Sequence, residues 1–181
     1  MRVNLVTPAL FAKYRTAADY ARARPGELEE DIRSTGFFNS KAKSLRRAGA
    51  AIAAEHGGRV PDTMEELVRL PGVGRKTANV VLGNAFGKDE GFVVDTHVAR
   101  VTRRLGLTRQ TDPVRIENEL NELVPKGRRT KAAHELIWHG RQICQARRPL
   151  CEECPLDPLC PKIGVRLTVS RPSPRRRAAR R

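Results

Sequence analysis

Along almost the whole chain, apolar residues recur three and four apart rather than in alternation, and residues that start or stop helices punctuate the runs. That pattern restricts the chain to an all-α fold. Thr7 followed by Pro8 marks the start of a helix carrying Leu10, Phe11 and Tyr14, and Pro25-Gly26 separates the next two short runs. Asn39 or Ser40 opens a longer helix through Ala54, which Gly57-Gly58 stops. Asp62 and Glu65 have capping-box spacing and introduce a short helix with Met64, Leu67 and Val68 on one face. A second helix follows Gly74 and ends near Gly87. After Phe92, Val93 and Val94, Asp95 is placed to cap a helix bearing Val98, Val101 and Leu105. Asp112-Pro113 repeats the start signal for Ile116, Leu120 and Leu123, and a further helix is expected from about Thr130 to Ile143. Beyond Gly164 the sequence is Arg, Pro and Ser without apolar periodicity, a composition that predicts a disordered tail.

A chain of 181 residues can bury one or two cores without disulfide staples. It carries 35 Lys and Arg against 20 Asp and Glu, a net charge of +15, and an excess of this kind points to a polyanionic partner. Arg166, Arg171, Arg175, Arg176, Arg177, Arg180 and Arg181 supply seven of those charges, so the body is basic as well as the tail. No apolar run approaches the length of about 20 residues that a membrane span needs, and Met1 does not open a signal-peptide pattern. A cytoplasmic protein is expected. Aromatics are too scarce for a surface of rings stacked on bases.

Two short segments carry chemistry. In Leu70-Pro71-Gly72-Val73-Gly74, two glycines between helical runs permit a tight turn with exposed amides. The helix that follows adds unpaired N–H groups and the positive end of its dipole, so the turn can hold a phosphate. Taken alone, an ordinary helix connection is the commoner use of such a turn. All four cysteines, Cys144, Cys151, Cys154 and Cys160, fall within seventeen residues, separated by six, two and five others. In a reducing compartment such a loop favours a metal centre over disulfides. Only one pair has the C-x-x-C spacing of a zinc knuckle, and four grouped thiolates beside Pro149, Pro155, Pro158 and Pro161 are compatible with a [4Fe-4S] cube; zinc stays open as the other choice.

The string Leu70-Pro71-Gly72-Val73-Gly74-Arg75-Lys76-Thr77-Ala78 occurs with Gly36-Phe37-Phe38-Asn39-Ser40-Lys41-Ala42, Val94-Asp95-Thr96-His97-Val98, His139-Gly140-Arg141 and the cysteine loop. In that order these motifs resemble the endonuclease III family of the helix-hairpin-helix DNA glycosylases, over about Val3 to Ile163. The resemblance implies a helical barrel-like domain over residues 1–90, with the helix-hairpin-helix at about 62–87. A second domain would cover residues 91–163, with a [4Fe-4S] loop at 144–160 and the basic tail from 164 on. It implies a bifunctional DNA glycosylase and AP lyase that excises oxidised pyrimidines and cleaves 3′ to the abasic site by β-elimination. The partner would be double-stranded DNA carrying damaged bases or abasic sites, bound by a monomer.

Within that resemblance Lys76 is the nucleophile that attacks C1′ of the flipped nucleotide, because an amine can both add to carbon and carry an imine. The site must favour the neutral amine through desolvation or a nearby cation. Asp95 matches the superfamily's catalytic aspartate, stabilising cationic sugar character; a plain helix cap is its bland use, and the two are compatible. His97 is assigned support, and His56, His134 and His139 structural places. Flipping leaves a gap to fill, and Phe37 matches a wedge position, with burial beside Phe38 as the competing reading. Arg75, Lys41 and the amides around Gly72 and Gly74 would contact phosphates, with Arg147 and Arg148 adding charge near the cysteines. The four cysteines would ligate the cluster, which orders a basic loop.

The family's chain begins upstream of this Met1, with a helix packed on the cluster domain and another carrying a glutamine used in the wedge. A chain lacking them is expected to expose apolar surface and to be less stable than a longer relative. Two rival readings follow: a DNA-binding iron-sulfur module without turnover, and a mismatch-specific monofunctional glycosylase that uses water and lacks the lysine.

Overall fold

The computed structural model describes residues 2–165; the basic tail lies, from residue 166 on, outside them. Among the described residues the chain forms nine α-helices and no strand: α1 (Arg2–Lys13), α2 (Ala17–Arg22), α3 (Glu27–Asp31), α4 (Phe38–Glu55), α5 (Met64–Leu67), α6 (Arg75–Ala85), α7 (Thr96–Arg104), α8 (Pro113–Leu123) and α9 (Arg129–Gln142). Two short 3-10 turns, Cys151–Glu153 and Asp157–Leu159, follow α9. None of these helices is long and apolar enough to cross a membrane.

Two expected caps are found in place. Asp95 caps α7 through the amides of His97 and Val98, and Asp112 caps α8 through that of Arg115, with Pro113 at the first helical position. Three expected starts shift. α4 begins at Phe38, ahead of the expected Asn39 or Ser40, with Phe37 in the cap position and no side-chain cap bond. Thr7-Pro8 does not begin a helix: α1 runs from Arg2 with Pro8 inside it, although Leu10 and Tyr14 are buried as expected while Phe11 faces solvent. The cap of α5 is Thr63 rather than Asp62. Thr63 Oγ1 accepts from the Glu66 amide and donates to its carboxylate, while Asp62 pairs with Lys88 at 2.7 Å.

Three apolar cores result. Leu10, Tyr14, Leu28 and Ile32 join α1 and α3 to Ala42 of α4; Leu67, Leu70, Ala78 and Leu82 join α5 and α6 against Ala51 and Ile52; Phe92, Val98, Ile116, Leu120 and Ala133 join α7, α8 and α9. Each large side chain fully buried in them contributes about 1.5–3 kcal/mol relative to exposure.

The first two cores meet the third largely through polar contacts. The foremost is Asp89, because α9 lacks a side-chain cap of its own. The Asp89 carboxylate accepts from the amides of Gly127, Arg129 and Thr130 and from the Thr130 hydroxyl, at 2.5–2.9 Å. Burial pushes this carboxyl up, but the bonds from Thr130, Arg129 and Gly127 outweigh it and hold the group below its ordinary 3.8. A carboxylate depressed in the folded state stabilises the protein above its unfolded pKa, and that stability is lost as pH falls through the folded value. Asp89→Asn should therefore melt lower at pH 7, by about 1–3 kcal/mol of stability, and the difference from wild type should shrink as pH drops below about 4. Thermal melts from pH 7 to pH 3 test this; a difference that does not change with pH refutes it.

Candidate nucleic-acid interface and active site

The hairpin between α5 and α6 uses its two glycines differently. Gly72 has φ +82°, which favours glycine, and a Cβ there would lie 2.8 Å from Ser44 Cβ on α4. Gly74 is extended at φ −94°, and nothing lies within 4 Å of a Cβ built on it. As the N-cap of α6 it offers no side-chain bond to the first turn. The amides that open α6 therefore face open space, the arrangement that accepts an anion.

Lys76 is the second residue of α6; it is exposed, and no hydrogen bond or ion pair engages it among the described residues. Asp95 is half-buried at the head of α7, behind the buried run Phe92-Val93-Val94, whose Phe92 amide donates to Asn121 Oδ1 at 3.0 Å. Its Oδ1 accepts both capping bonds, at 2.8 and 2.9 Å, and among the described residues no hydrogen bond engages Oδ2. The amine and the carboxylate form no ion pair with each other, so both are open to a third body.

Arg75 is committed elsewhere. Its guanidinium makes a two-bond pair with Glu117 of α8, Nε to Oε2 at 2.7 Å and Nη2 to Oε1 at 3.0 Å, which raises its pKa further and leaves Nη1 for any phosphate. Phe37 settles as a surface residue: it is 90% exposed, at φ +49°, ahead of α4, whereas its neighbour Phe38 packs on the first core. Lys41 Nζ donates to the Thr35 carbonyl at 2.9 Å, fixing the loop that presents Phe37. Arg147 and Arg148 are exposed on the cysteine loop.

The four cysteines are half-buried and line one small cavity, of about 20 Å³, together with Val101, Leu105, His139 and Ile143. Among the described residues no three His, Cys, Asp or Glu side chains gather closely enough to hold a single metal ion. Burial pushes the Cys151 thiol up, against the opposing charge of Lys162.

Three residues at the site escaped the sequence reading. Arg104, 9% exposed, donates to the carbonyls of Gln145 and Ala146 at 2.7 and 2.8 Å and to Cys144 Sγ at 3.3 Å. Arg100, one turn earlier, donates to the carbonyls of Gly140 and Cys144 at 2.7 and 3.1 Å and meets His97 Nδ1 at 3.1 Å. Their four-residue spacing, which puts both on one face of α7, was the available signal. Glu117 is the third, and only its place among the apolar residues Ile116 and Leu120 hinted at burial.

The family model described as HhH-GPD superfamily base excision DNA repair protein matches residues 1–126. Endonuclease III of Synechocystis sp. is 54% identical over 160 residues, 88% of this chain and 73% of the relative. Endonuclease III of Bacillus subtilis is 47% identical over 159 residues, 87% and 72% respectively. Among solved structures, a trapped endonuclease III-DNA covalent intermediate superposes with TM-score 0.85 at 44% identity, over 89% of this chain and 76% of the other. A thermostable thymine-DNA glycosylase follows at 0.79 and 30%, with the same coverage. The geometry and these likenesses converge: the chain belongs to the endonuclease III family of the HhH-GPD superfamily and is a DNA glycosylase and AP lyase of base excision repair.

Proposed function

We propose that Lys76 carries the reaction of this enzyme, on double-stranded DNA whose oxidised pyrimidine or abasic sugar is turned out of the helix. The neutral amine attacks C1′; the bond to the base breaks and the base leaves with a proton. The sugar ring then opens as the nitrogen forms an imine. Loss of a C2′ proton expels the 3′ phosphate by β-elimination, and water releases the lysine. Asp95 offsets positive charge on the sugar while the base departs, since its Oδ1 is held by two amides and its Oδ2 can face the substrate. The amides opening α6 hold a backbone phosphate, and Phe37 fills the vacated place in the stack. Lys41, the free Nη1 of Arg75, Arg147 and Arg148 add phosphate contacts.

The observation that carries this reading is an exposed lysine, without a partner among the described residues, in the first turn of the hairpin's second helix. The relative trapped covalently on DNA supports it. Borohydride reduces an imine to a stable amine, so the wild-type protein should be captured on a duplex containing an abasic site. No captured adduct would defeat the proposal.

We assign residues 1–90 to a hairpin domain and 91–163 to a cluster domain, supported by three apolar cores of which none spans residue 90. Cys144, Cys151, Cys154 and Cys160 would hold a [4Fe-4S] cluster, which when bound supplies a rigid cross-link for the loop carrying Arg147 and Arg148. Arg104 keeps the loop's first ligand in place through the three bonds to Gln145, Ala146 and Cys144. Metal analysis of protein purified without air should find about four irons per chain. About one zinc per chain would overturn the assignment.

A further inference from the structure

Glu117 lies in α8, 42 residues from Arg75 and 38 from Asn79, and its side chain is 5% exposed. A carboxylate so buried is costly unless it is paired and hydrogen-bonded. Here it accepts three bonds: two from Arg75, at 2.7 and 3.0 Å, and one from Asn79 Nδ2 at 2.9 Å. Arg75 and Asn79 are four apart and share one face of α6. Two grips one helical turn apart fix the rotation of α6 about its axis as well as its register against α8. Lys76 is the residue next to the first grip.

The same carboxylate also meets the backbone that leads to Asp95. A Cβ on Gly91 would fall 2.6 Å from Glu117 Oε1 and 2.5 and 2.8 Å from the two amide atoms of Asn79, so the chain four residues before Asp95 is pressed onto the pair. Asn79 Oδ1 is buried there with no hydrogen-bond partner among the described residues. That is a stability cost, borne at the spot where α6, α8 and the 91–94 segment meet. Local violations of this kind gather where function demands a geometry. Stability alone does not call for the ion pair, since well-packed apolar replacements of buried pairs are often neutral or better. What a two-bond Arg–carboxylate pair supplies is fixed orientation.

We propose that Glu117 is a positioning residue for the reaction, holding α6 through Arg75 and Asn79 so that the Lys76 amine and Asp95 meet the same sugar. The proposal rests on Lys76 being the nucleophile. An error of about 1 Å at a reacting centre can cost about 10²-fold in rate, and the amine sits at the end of a long side chain that magnifies any rotation of the helix.

The test uses the whole chain with Glu117→Gln, which keeps the shape and an acceptor but loses the charge. Arg75→Lys keeps the charge but loses the two-bond geometry; Arg75 is 45% exposed, so this variant tolerates the change in packing. The double variant completes the cycle. Three quantities are measured: the single-turnover rate of borohydride trapping at saturating abasic duplex, the Kd for a duplex bearing a chemically inert abasic analogue, and the melting temperature. Both single variants should trap about 10- to 100-fold more slowly at saturating duplex, with Kd changed by less than about threefold in Glu117→Gln, and the double should be no slower than the worse single. Wild-type trapping rates in both variants at saturating DNA, with or without a lower melting point, overturn the proposal alone. So do rates that fall only in step with Kd, or single losses that multiply in the double. If Glu117→Gln does not fold, Arg75→Lys decides by the same criteria. No adduct with the wild type overturns the Lys76 reading, and this proposal with it.

Discussion

Lys76→Ala should abolish the borohydride-trapped adduct and slow strand cleavage at an abasic site by about 10³-fold or more, while duplex binding weakens by no more than about threefold. The asymmetry follows from the residue's surroundings. Its amine makes no bond to the described protein, so removing it opens no cavity and strands no partner, and the melting temperature should stay within about 1 °C of wild type. Binding relies on the amides that open α6 and on the other exposed cations, which remain. Lys76→Arg sharpens the test: it keeps a positive charge at the hairpin but offers no neutral amine, so it should bind like wild type and still give no adduct. Trapping that survives Lys76→Ala would move the nucleophile elsewhere in the chain.

What could be read ahead of the structure follows the range of the forces involved. Asp95, Asp112 and Gly74 were legible as helix starts because a cap acts within three residues of itself. The same logic misplaced the start of α5, where Asp62 and Thr63 are adjacent and both can cap. Only the pairing of Asp62 with Lys88, 26 residues on, decides between them. Pro8 read as a start because proline favours a first turn, yet its missing N–H is tolerated inside α1, where Leu10 and Tyr14 pack on Leu28 and Ile32.

Charges inside the fold were the hardest to foresee. Glu117, Arg104 and Asp89 each look like surface residues in a chain this polar, and each is held by partners about 40 residues away. Periodicity marks which face of a helix is apolar, and it says nothing of a charged group on that face that finds a counter-group on another helix. The pair proposed to react was legible for a different reason. Lys76 and Asp95 sit inside motif strings, whereas the arrangement that leaves the Lys76 amine and Asp95 Oδ2 without partners among the described residues is visible only in three dimensions.

The capping role of Asp95 and the catalytic role proposed for it can be separated by a pair of substitutions. In Asp95→Asn the amide oxygen can still accept from the His97 and Val98 amides, so the cap of α7 survives, but the negative charge is gone. Base excision should fall by about 10²- to 10³-fold with the melting temperature nearly unchanged. Asp95→Ala loses the cap as well, at about 1 kcal/mol, which lowers the melting temperature by a few degrees in a chain of this size. The two reactions should respond unequally. A damaged nucleotide must shed its base through a sugar that gathers positive charge, which the carboxylate offsets; a pre-formed abasic site presents an aldehyde and has already lost that base. Asp95→Asn should therefore retain far more trapping on an abasic duplex than excision on a damaged one. Equal losses in both reactions would show that the charge acts on steps the substrates share, and excision close to wild type would reduce Asp95 to a helix cap.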